Sequence, residues 1–250
     1  MVLSKLSAEA SVTVWLHNWT KQAFDPLADY ELDWTPHFDR QSRRVPPPDV
    51  WQTNLVPELD ELKKKIMTAG AVRTIMLRGK STLSTGIALG AMFPAVGGWT
   101  FEIQQPPAKE PWCSDAKPTA AYQLQEKILE GTPNGADLVL GLNIRGDGRL
   151  DIQRYVQSTG HDPNAYIFLS PPSQGARSIG GAADAVAMAM AVRERLGALL
   201  KARQLRMTRL FFYGPFALSV FLGQQLTSIG QVQLFEYQDP SYVPSCLLRT

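Results

Sequence analysis

Short apolar runs alternate with amphipathic stretches along most of the chain, and this alternation predicts its elements. Apolar runs that end at a glycine or a turn indicate buried strands, whereas apolar residues that recur every three or four positions indicate helices. We predict strands at 72–77, 99–104, 136–144, 165–169, 209–213, 232–238 and 245–249. We predict helices at 54–65, 83–93, 150–158, 182–202 and 215–227, and a short helix or an irregular crossover at 122–130. This alternation is typical of an α/β fold with mostly parallel sheets flanked by helices.

The first fifty residues show no clear pattern of helices or strands. Trp15, Trp19 and Trp34 lie among polar residues, and three consecutive prolines at 46–48 indicate a stiff connector. We therefore predict an N-terminal segment over 1–50 that connects to the domain and packs on it, followed by one domain over 51–250.

An internal repeat divides that domain. The strand that ends at Gly79 and the strand that ends at Gly214 are both followed by a helix containing Leu-Gly and then by a strand with the pattern Phe-Glu-x-Gln. The two glycines are 214 − 79 = 135 residues apart, and the two glutamates, Glu102 and Glu236, are 134 residues apart. Any two strand–helix–strand units look somewhat alike, but the matched motifs favour a duplication. We expect two Rossmann-like halves fused as a pseudo-dimer, at about 51–135 and about 136–250.

The repeat implies where a ligand would bind. In open α/β sheets, ligands gather beyond the carboxyl ends of the strands, and a helix N-terminus there offers free amides to a phosphate. Gly79 and Gly214 both stand at such an exit. Two halves that face each other would form one composite cleft, suited to a ligand that itself repeats.

Composition narrows the class of protein. A net charge of +2 argues against a duplex DNA binder, which needs a basic face. Two cysteines are too few for a disulfide framework and favour a reduced, cytoplasmic setting. We also expect neither a secretory signal nor a membrane span. His17, His37, His161 and the cysteines lack the close spacing of zinc ligands, so no metal site is expected.

Two short motifs resemble catalytic signatures incompletely. Gly79-Lys80-Ser81-Thr82 resembles the end of a P-loop, but the earlier glycine of that motif falls at Thr74. We expect a simpler phosphate loop in which Lys80 supplies charge; a solvated turn is the alternative. Ser178 resembles a nucleophile elbow but lies nine positions past the strand that ends at Leu169. It is better read as a helix N-cap.

The C-terminal half carries a family resemblance. The segments Leu210–Ala217, Phe221–Gly223 and Val232–Tyr237, with Tyr242, resemble the SAVED domain; Ala136–Val139, Ile167–Pro172 and Ser178–Ala185 also fit it, as do Leu32–Trp34 and Trp51. The resemblance covers roughly 30–250. SAVED domains are similar to two fused CARF-like halves, which agrees with the repeat.

The resemblance implies a sensor and no catalysis. Its expected ligand is a cyclic di-, tri- or tetranucleotide in CBASS or type III CRISPR antiviral signalling, with no further cofactor. Ligand binding is expected to drive head-to-tail oligomerisation and to activate a nuclease, TIR or protease effector, fused or recruited. We find no effector domain in this sequence. A ring nuclease on the same halves is the enzymatic alternative, and an interaction protein without ligand is a third hypothesis.

The candidate ligand-binding residues lie at the strand exits and in the loops beside them. Trp112 is a candidate for stacking on a base, with packing of its loop to the core as an equal alternative. Phe216 and Tyr237 are similar candidates, but for them we favour packing in the core. The full set is Arg78, Gly79, Lys80, Ser81, Thr82, Trp112, Arg145, Pro172, Ser173, Arg177, Ser178, Gly214, Pro215, Phe216 and Tyr237.

Overall fold

Two sheets, each with helices packed on it, share one hydrophobic core. A computed structural model describes residues 11–120, 122–175 and 178–250. The strands of the first sheet are β1 (Val12–His17), β2 (Tyr30–Asp33), β3 (Thr74–Arg78), β4 (Thr100–Ile103) and β5 (Trp112–Cys113). Those of the second are β6 (Gln125–Glu130), β7 (Asp137–Asn143), β8 (Ala165–Ser170), β9 (Met207–Tyr213), β10 (Gln231–Gln238) and β11 (Ser241–Arg249).

The helices lie between the strands along the chain. They are α1 (Pro48–Val50), which continues through a π-helical segment (Trp51–Leu55) into α2 (Val56–Ala69), then α3 (Leu83–Met92), α4 (Arg149–Ser158), α5 (Ala182–Arg203) and α6 (Phe216–Gln225). Single 3₁₀ turns lie at Thr35–His37 and Ala95–Gly97. Within the described ranges, no helix is long and apolar enough to cross a bilayer.

The two sheets have the same topology. The first has the order β2-β1-β3-β4-β5, and the second has the order β8-β7-β9-β10-β11 with β6 added beside β8. In each sheet the first four strands of this order are parallel, and the last is antiparallel to its neighbour. The expected pair of Rossmann-like halves is therefore confirmed.

The halves meet along α3 and α6. A Cβ atom added to Gly90 would lie 2.0 Å from the Val220 carbonyl oxygen, and one added to Gly223 would lie 2.2 Å from that of Ile87. Gly86 lies against Ser219 in the same way, with 2.0 Å to the hydroxyl oxygen. Gly86 meets Ser219, and Gly90, one turn further along α3, meets Gly223, one turn further along α6. The two helices therefore run parallel. Their N-termini therefore point to the same edge of the molecule.

The expected boundary at residue 50 does not match the fold. Val12–His17 forms the strand next to the centre of the first sheet and is buried throughout, so the first half begins within the predicted connector. A parallel strand covered on both faces lacks the alternation that marks an amphipathic strand. Packing of this segment on the domain is found: Trp34 and Trp51 are fully buried, with ring centroids 5.8 Å apart.

Other differences are local. Residues 122–130, predicted as a helix or crossover, contain strand β6, which pairs antiparallel with β8. The two copies of the Phe-Glu-x-Gln pattern do not occupy equivalent positions in the two sheets; they are shifted by one residue. Ile75 pairs with Phe101, whereas its counterpart Leu210 pairs with Leu234. The structural counterpart of Phe101 is thus Leu234 rather than Phe235.

We expect Gly90→Ala to destabilise the protein by about 1–3 kcal/mol, because the added methyl group forces α3 away from α6. Gly197→Ala in α5 is the matched control. Its Cβ would meet only the Ile229 side chain, at 3.7 Å, so it should stabilise by about 0.5–1 kcal/mol. Urea unfolding of both variants measures the difference. Equal effects would contradict the close packing at the helix pair.

Candidate functional site

A cleft of about 600 Å³ opens at the carboxyl edge of the first sheet. It lies beyond the ends of β1 and β3, which are neighbours although β2 follows β1 in the chain. This is the switch point at which doubly wound sheets of this order bind ligands. Arg78, Gly79, Lys80 and Ser81 line it from the first half, and Phe216 lines it from the second. Five of the predicted residues therefore meet in one cleft, to which both halves contribute.

The two halves differ in the connection that follows the first strand beside the switch point. In the second half, α4 follows β7 and packs Ile152 and Val156 against the outer face of the sheet. In the first half, the connection between β1 and β2 contains no helix. Its Phe24 lines the cleft and stacks on His17, with ring centroids 5.9 Å apart. The loop of the first half that follows β1 therefore supplies part of the cleft wall, whereas the second half has a helix after its corresponding strand.

The backbone of the loop after β3 is held firmly. Gly79 has φ +134°, and a Cβ atom there would lie 1.9 Å from the Leu16 carbonyl oxygen, so only glycine fits. The Ser81 hydroxyl donates to the same oxygen at 3.3 Å. Below the loop, the Asn18 side-chain oxygen accepts from the Thr82 amide at 2.7 Å. Thr82 is therefore a buried helix cap, and the loop presents Lys80 outward.

Lys80 and Ser81 have no counterpart in the second half. The strands β3 and β9 match at an offset of 135, whereas the glycine contacts in α3 and α6 match at an offset of 133, from Gly90 to Gly223. The difference, 135 − 133 = 2, places a two-residue insertion between the strand and the helix of the first half. In the second half, Gly214 is followed directly by the buried Pro215 and by helix α6.

The N-terminus of α3 is occupied by the protein itself, contrary to expectation. The Ser84 amide donates to the Glu236 carboxylate at 2.5 Å, and Glu236 belongs to the second half. Burial raises the pKa of Glu236 above its usual range, although hydrogen bonds from Ser84 and from the Leu83 amide act to lower it. A ligand phosphate therefore does not find free amides at this helix.

The N-terminus of α6 is capped in return by the first half. The buried Gln105 follows β4, and its side-chain oxygen accepts from the Ala217 amide at 3.0 Å. At the other end of α6, the Gln224 side chain donates to the carbonyl oxygens of Phe93 and Trp99 at 3.0 and 2.9 Å. The halves are thus joined by buried hydrogen bonds at both ends of the helix pair. Gln105 also lines the cleft.

The charge within the cleft is mixed. Arg78 is half-buried, and its guanidinium donates to the Leu77 carbonyl oxygen at 3.1 Å, whereas Lys80 is exposed. Among the described residues, neither cation forms an ion pair. Asp25 adds one carboxylate at the wall. Two cations against one carboxylate suit an anionic ligand held at a few points.

Several predicted residues lie away from the cleft. Trp112 is 8% exposed and packs in the core, which confirms the alternative given for it. Tyr237 is 53% exposed and contacts Tyr242 on the α4 side of the second sheet, so it is neither a core residue nor part of the cleft. The chain neighbour of Tyr237, Glu236, points to α3 instead.

The remaining candidates cluster at the exits of the second sheet. Arg145 follows β7, and Pro172 and Ser173 follow β8; all three are exposed. The hydroxyl of Ser178 donates to the carbonyl oxygens of Ile144 and Gly175, at 3.1 and 2.8 Å, and α5 begins only at Ala182, so the predicted N-cap is wrong. Arg177 lies outside the described residues.

Sequence reasoning missed part of the cleft wall. Trp19, Phe24, Gln104 and Gln105 line the cleft together with the predicted residues. Trp19 and Phe24 fell in the supposed connector; recognising 12–17 as a strand would have placed them at a strand exit. Gln104 ends the predicted strand 99–104 and Gln105 directly follows it, which was a usable signal. In the described part of the chain, no group of three or more His, Cys, Asp or Glu side chains is arranged to hold a metal ion.

Comparisons with known proteins agree with this architecture. A family model described as "SMODS-associated and fused to various effectors sensor domain", SAVED, matches residues 58–248. A search of curated protein sequences finds no match.

Solved structures of Cap4 receptors containing a SAVED/CARF domain are similar in fold. The Acinetobacter baumannii receptor with the cyclic trinucleotide 2'3'3'-cAAA superposes with a TM-score of 0.79 at 18% identity over 96% of this chain and 52% of its own. Its complex with 3'3'3'-cAAA gives 0.80 at 17% identity, with the same coverage. The Moraxella osloensis receptor gives 0.69 at 17% identity, over 96% of this chain and 50% of its own. The chain therefore spans about half the length of these receptors.

We expect Glu236→Ala to cost about 1–3 kcal/mol, because it leaves the amides at the start of α3 without an acceptor. Glu236→Gln keeps an acceptor oxygen and should retain most of that stability. Chemical unfolding at a fixed pH compares the two variants with the parent protein. Equal losses in both would contradict the capping role of the side-chain oxygen.

The same carboxyl group predicts a pH dependence. Its pKa is raised in the folded state, so folding favours the protonated form. Its contribution to stability is full below the unfolded pKa of about 4.3 and is lost as pH rises through the folded pKa. The stability of Glu236→Gln relative to the parent should therefore increase from pH 4 to pH 7. Unfolding curves across this range test it, and a difference that falls with pH would contradict the raised pKa.

Proposed function

Because the chain belongs to the SAVED family of sensor domains, we propose that it binds a cyclic oligonucleotide in the cleft between Arg78–Ser81 and Phe216 and does no chemistry on it. The single observation that carries this proposal is the two-residue insertion, Lys80-Ser81, at the switch point of the first sheet. It adds an exposed cation and a hydroxyl between strand and helix, where the second half passes directly from Gly214 to Pro215.

The chemistry of the cleft suits nucleotides. Lys80 and Arg78 can hold phosphate oxygens through charge-assisted hydrogen bonds, and the fixed backbone around Gly79 keeps their positions constant. Trp19, Phe24 and Phe216 offer aromatic surface on which bases stack, a contact worth about 1–3 kcal/mol per base. Cations and aromatic rings thus line the same cleft, and the proposed ligand combines phosphates with bases.

The asymmetry of the halves supports a ring of three nucleotides. A ring with twofold symmetry would gain most from two equal sites, but the second half has Pro215 after its strand and α4 over its outer face. The Acinetobacter baumannii receptors of the same fold were solved with cyclic trinucleotides. We therefore propose a trinucleotide rather than a di- or tetranucleotide.

The output of the sensor is an effector. The Cap4 receptors are about twice as long as the matched region. We propose that ligand-bound copies of this chain oligomerise in the cytoplasm and activate a nuclease, TIR or protease effector, fused or recruited, in antiviral defence of the CBASS or CRISPR type.

Isothermal titration against cyclic di-, tri- and tetranucleotides tests the proposal. We expect binding of a trinucleotide, and we expect Lys80→Ala to weaken it by about tenfold because one phosphate contact is lost. Lys117→Ala removes an exposed lysine outside the cleft and should leave the affinity unchanged. No binding of any of these nucleotides, or an equal loss of affinity in both variants, would contradict the proposed site.

Incubation with the bound nucleotide separates a sensor from a ring nuclease. Chromatography should recover the cyclic compound intact after prolonged incubation with the protein. Accumulation of a linear product that scales with protein concentration would establish cleavage and overturn the non-enzymatic proposal.

A further inference from the structure

A groove of about 410 Å³ lies at the edge of the molecule where α3 and α6 end. It is lined by Leu59 of α2, by Met92 at the end of α3 and by Leu226 directly after α6. The ligand cleft lies at the other end of α6, which begins at Phe216. Among the described residues, the groove and the cleft share no lining residue. The groove is therefore a separate cavity, with a volume in the range of about 300–1,000 Å³ that is typical of small-molecule sites.

The apolar part of the wall is aliphatic, and the cavity is called the aliphatic groove from here on. Leu59, Leu226 and Leu248 are buried residues of this wall. The described lining residues include no aromatic ring, whereas three aromatic side chains line the ligand cleft. Nucleobases bind by stacking on aromatic rings. The aliphatic groove therefore suits a flexible alkyl chain rather than a base.

Two cations line the aliphatic groove, Lys63 of α2 and Arg249 of β11, and its described lining contains no carboxylate side chain. Lys63 is half-buried, and the residue one turn before it is Leu59. Its exposed neighbour Lys64 instead pairs with Asp60, one turn before, at 2.6 Å. In the part of the chain that the structure describes, neither Lys63 nor Arg249 forms an ion pair. The groove thus holds two cations without an internal counter-ion.

The ends of α3 and α6 account for only part of this positive charge. A helix C-terminus carries about half a negative charge, so the two helices together contribute about one. Neither helix has a basic residue in its own last turn, so Lys63 and Arg249 are the cations that complement both dipoles. Two positive charges exceed the dipoles by about one. The excess matches a ligand with a single negative charge, such as a carboxylate.

A π-helical turn lies in the wall of the aliphatic groove. The turn Trp51–Leu55 leads into α2 and brings Gln52 to the groove, where its side-chain amide donates to the Leu247 carbonyl oxygen at 2.9 Å. This contact ties the start of α2 to β11, so the two elements that carry Lys63 and Arg249 are held together. Turns of this kind are rare, and they are frequent at functional sites.

We infer that the aliphatic groove binds a long-chain fatty acid, with the alkyl chain along the leucines of the wall and the carboxylate between Lys63 and Arg249. The alkyl chain leaves water, and a guanidinium binds a carboxylate through two parallel hydrogen bonds. The occupant is a free fatty acid, since the groove holds one alkyl chain with one anionic group. This site is additional to the ligand cleft and does not depend on the proposed function.

Isothermal titration of the full chain with octanoate, decanoate and dodecanoate, each below its critical micelle concentration, tests the inference. We expect one site per chain. Each added CH₂ group should tighten binding about fourfold until the groove is filled, because each one buries further apolar surface. Decanol has the same chain as decanoate without the charge, and it should bind at least about tenfold more weakly.

Substitutions in the wall locate the site. Lys63→Ala should weaken decanoate binding by about tenfold and should narrow the difference between decanoate and decanol. Lys64→Ala is the matched control, since this exposed lysine lies outside the groove, and it should leave the affinity unchanged. Thr227→Trp fills the groove from the half-buried position after α6 and should abolish binding with both cations present. The melting temperature of each variant confirms folding.

Lys80→Ala separates the fatty-acid site from the ligand cleft. It should leave decanoate affinity unchanged, because Lys80 lines only the cleft. A loss of decanoate binding in this variant would place the alkyl chain in the cleft and overturn the inference. The decanoate titrations contain no nucleotide, so a failure of the proposed ligand site does not alter their result.

Other results would also overturn the inference. They are no binding of any of the three carboxylates, several weak sites per chain, equal affinity for decanol and decanoate, and equal losses in Lys63→Ala and Lys64→Ala. Sedimentation with phosphatidylglycerol vesicles provides a further check. Binding to the vesicles without binding of free dodecanoate would assign the groove to a membrane surface instead.

Discussion

The structure depends on the contact between α3 and α6. Gly90 and Gly223 allow each helix to approach the backbone of the other, at positions where a single methyl group would lie about 2 Å from a carbonyl oxygen. This close, parallel packing fixes the two sheets with their carboxyl edges on the same side. The exits of β3 and β9 are therefore neighbours, and a cleft with walls from both halves can form.

Hydrogen bonds between the halves then stabilise the arrangement. Glu236 of the second half caps α3, and Gln105 of the first half caps α6. Caps exchanged between halves make each helix terminus depend on the other half, so neither half satisfies its own backbone alone. Helix N-termini bind phosphate in many α/β proteins, but here they hold the two halves together. The proposed ligand site relies instead on side chains of the inserted loop.

The sequence predicted the fold class and the duplicated halves, because apolar runs and glycine turns are local signals. It also predicted five residues of the cleft from the exits of two strands. It missed β1, because its apolar run is interrupted by Thr13 and is not followed closely by the glycine or proline that ends most of the predicted strands. The exchange of helix caps could not be foreseen, since Glu236 and Gln105 lie 152 and 112 residues from the amides that they accept. Such pairings are set by tertiary packing and leave no local pattern.

The close contact of Gly79 with the Leu16 carbonyl oxygen separates the part of this loop that the fold requires from the part that it does not. Arg78, directly before that glycine, ends strand β3 and is fixed by the sheet, and the amide of Thr82 on the far side is held by Asn18. Between these anchors the chain can change length and composition without disturbing the core. Substitutions at Lys80 can therefore change the charge of the cleft while the packing of the two sheets stays the same.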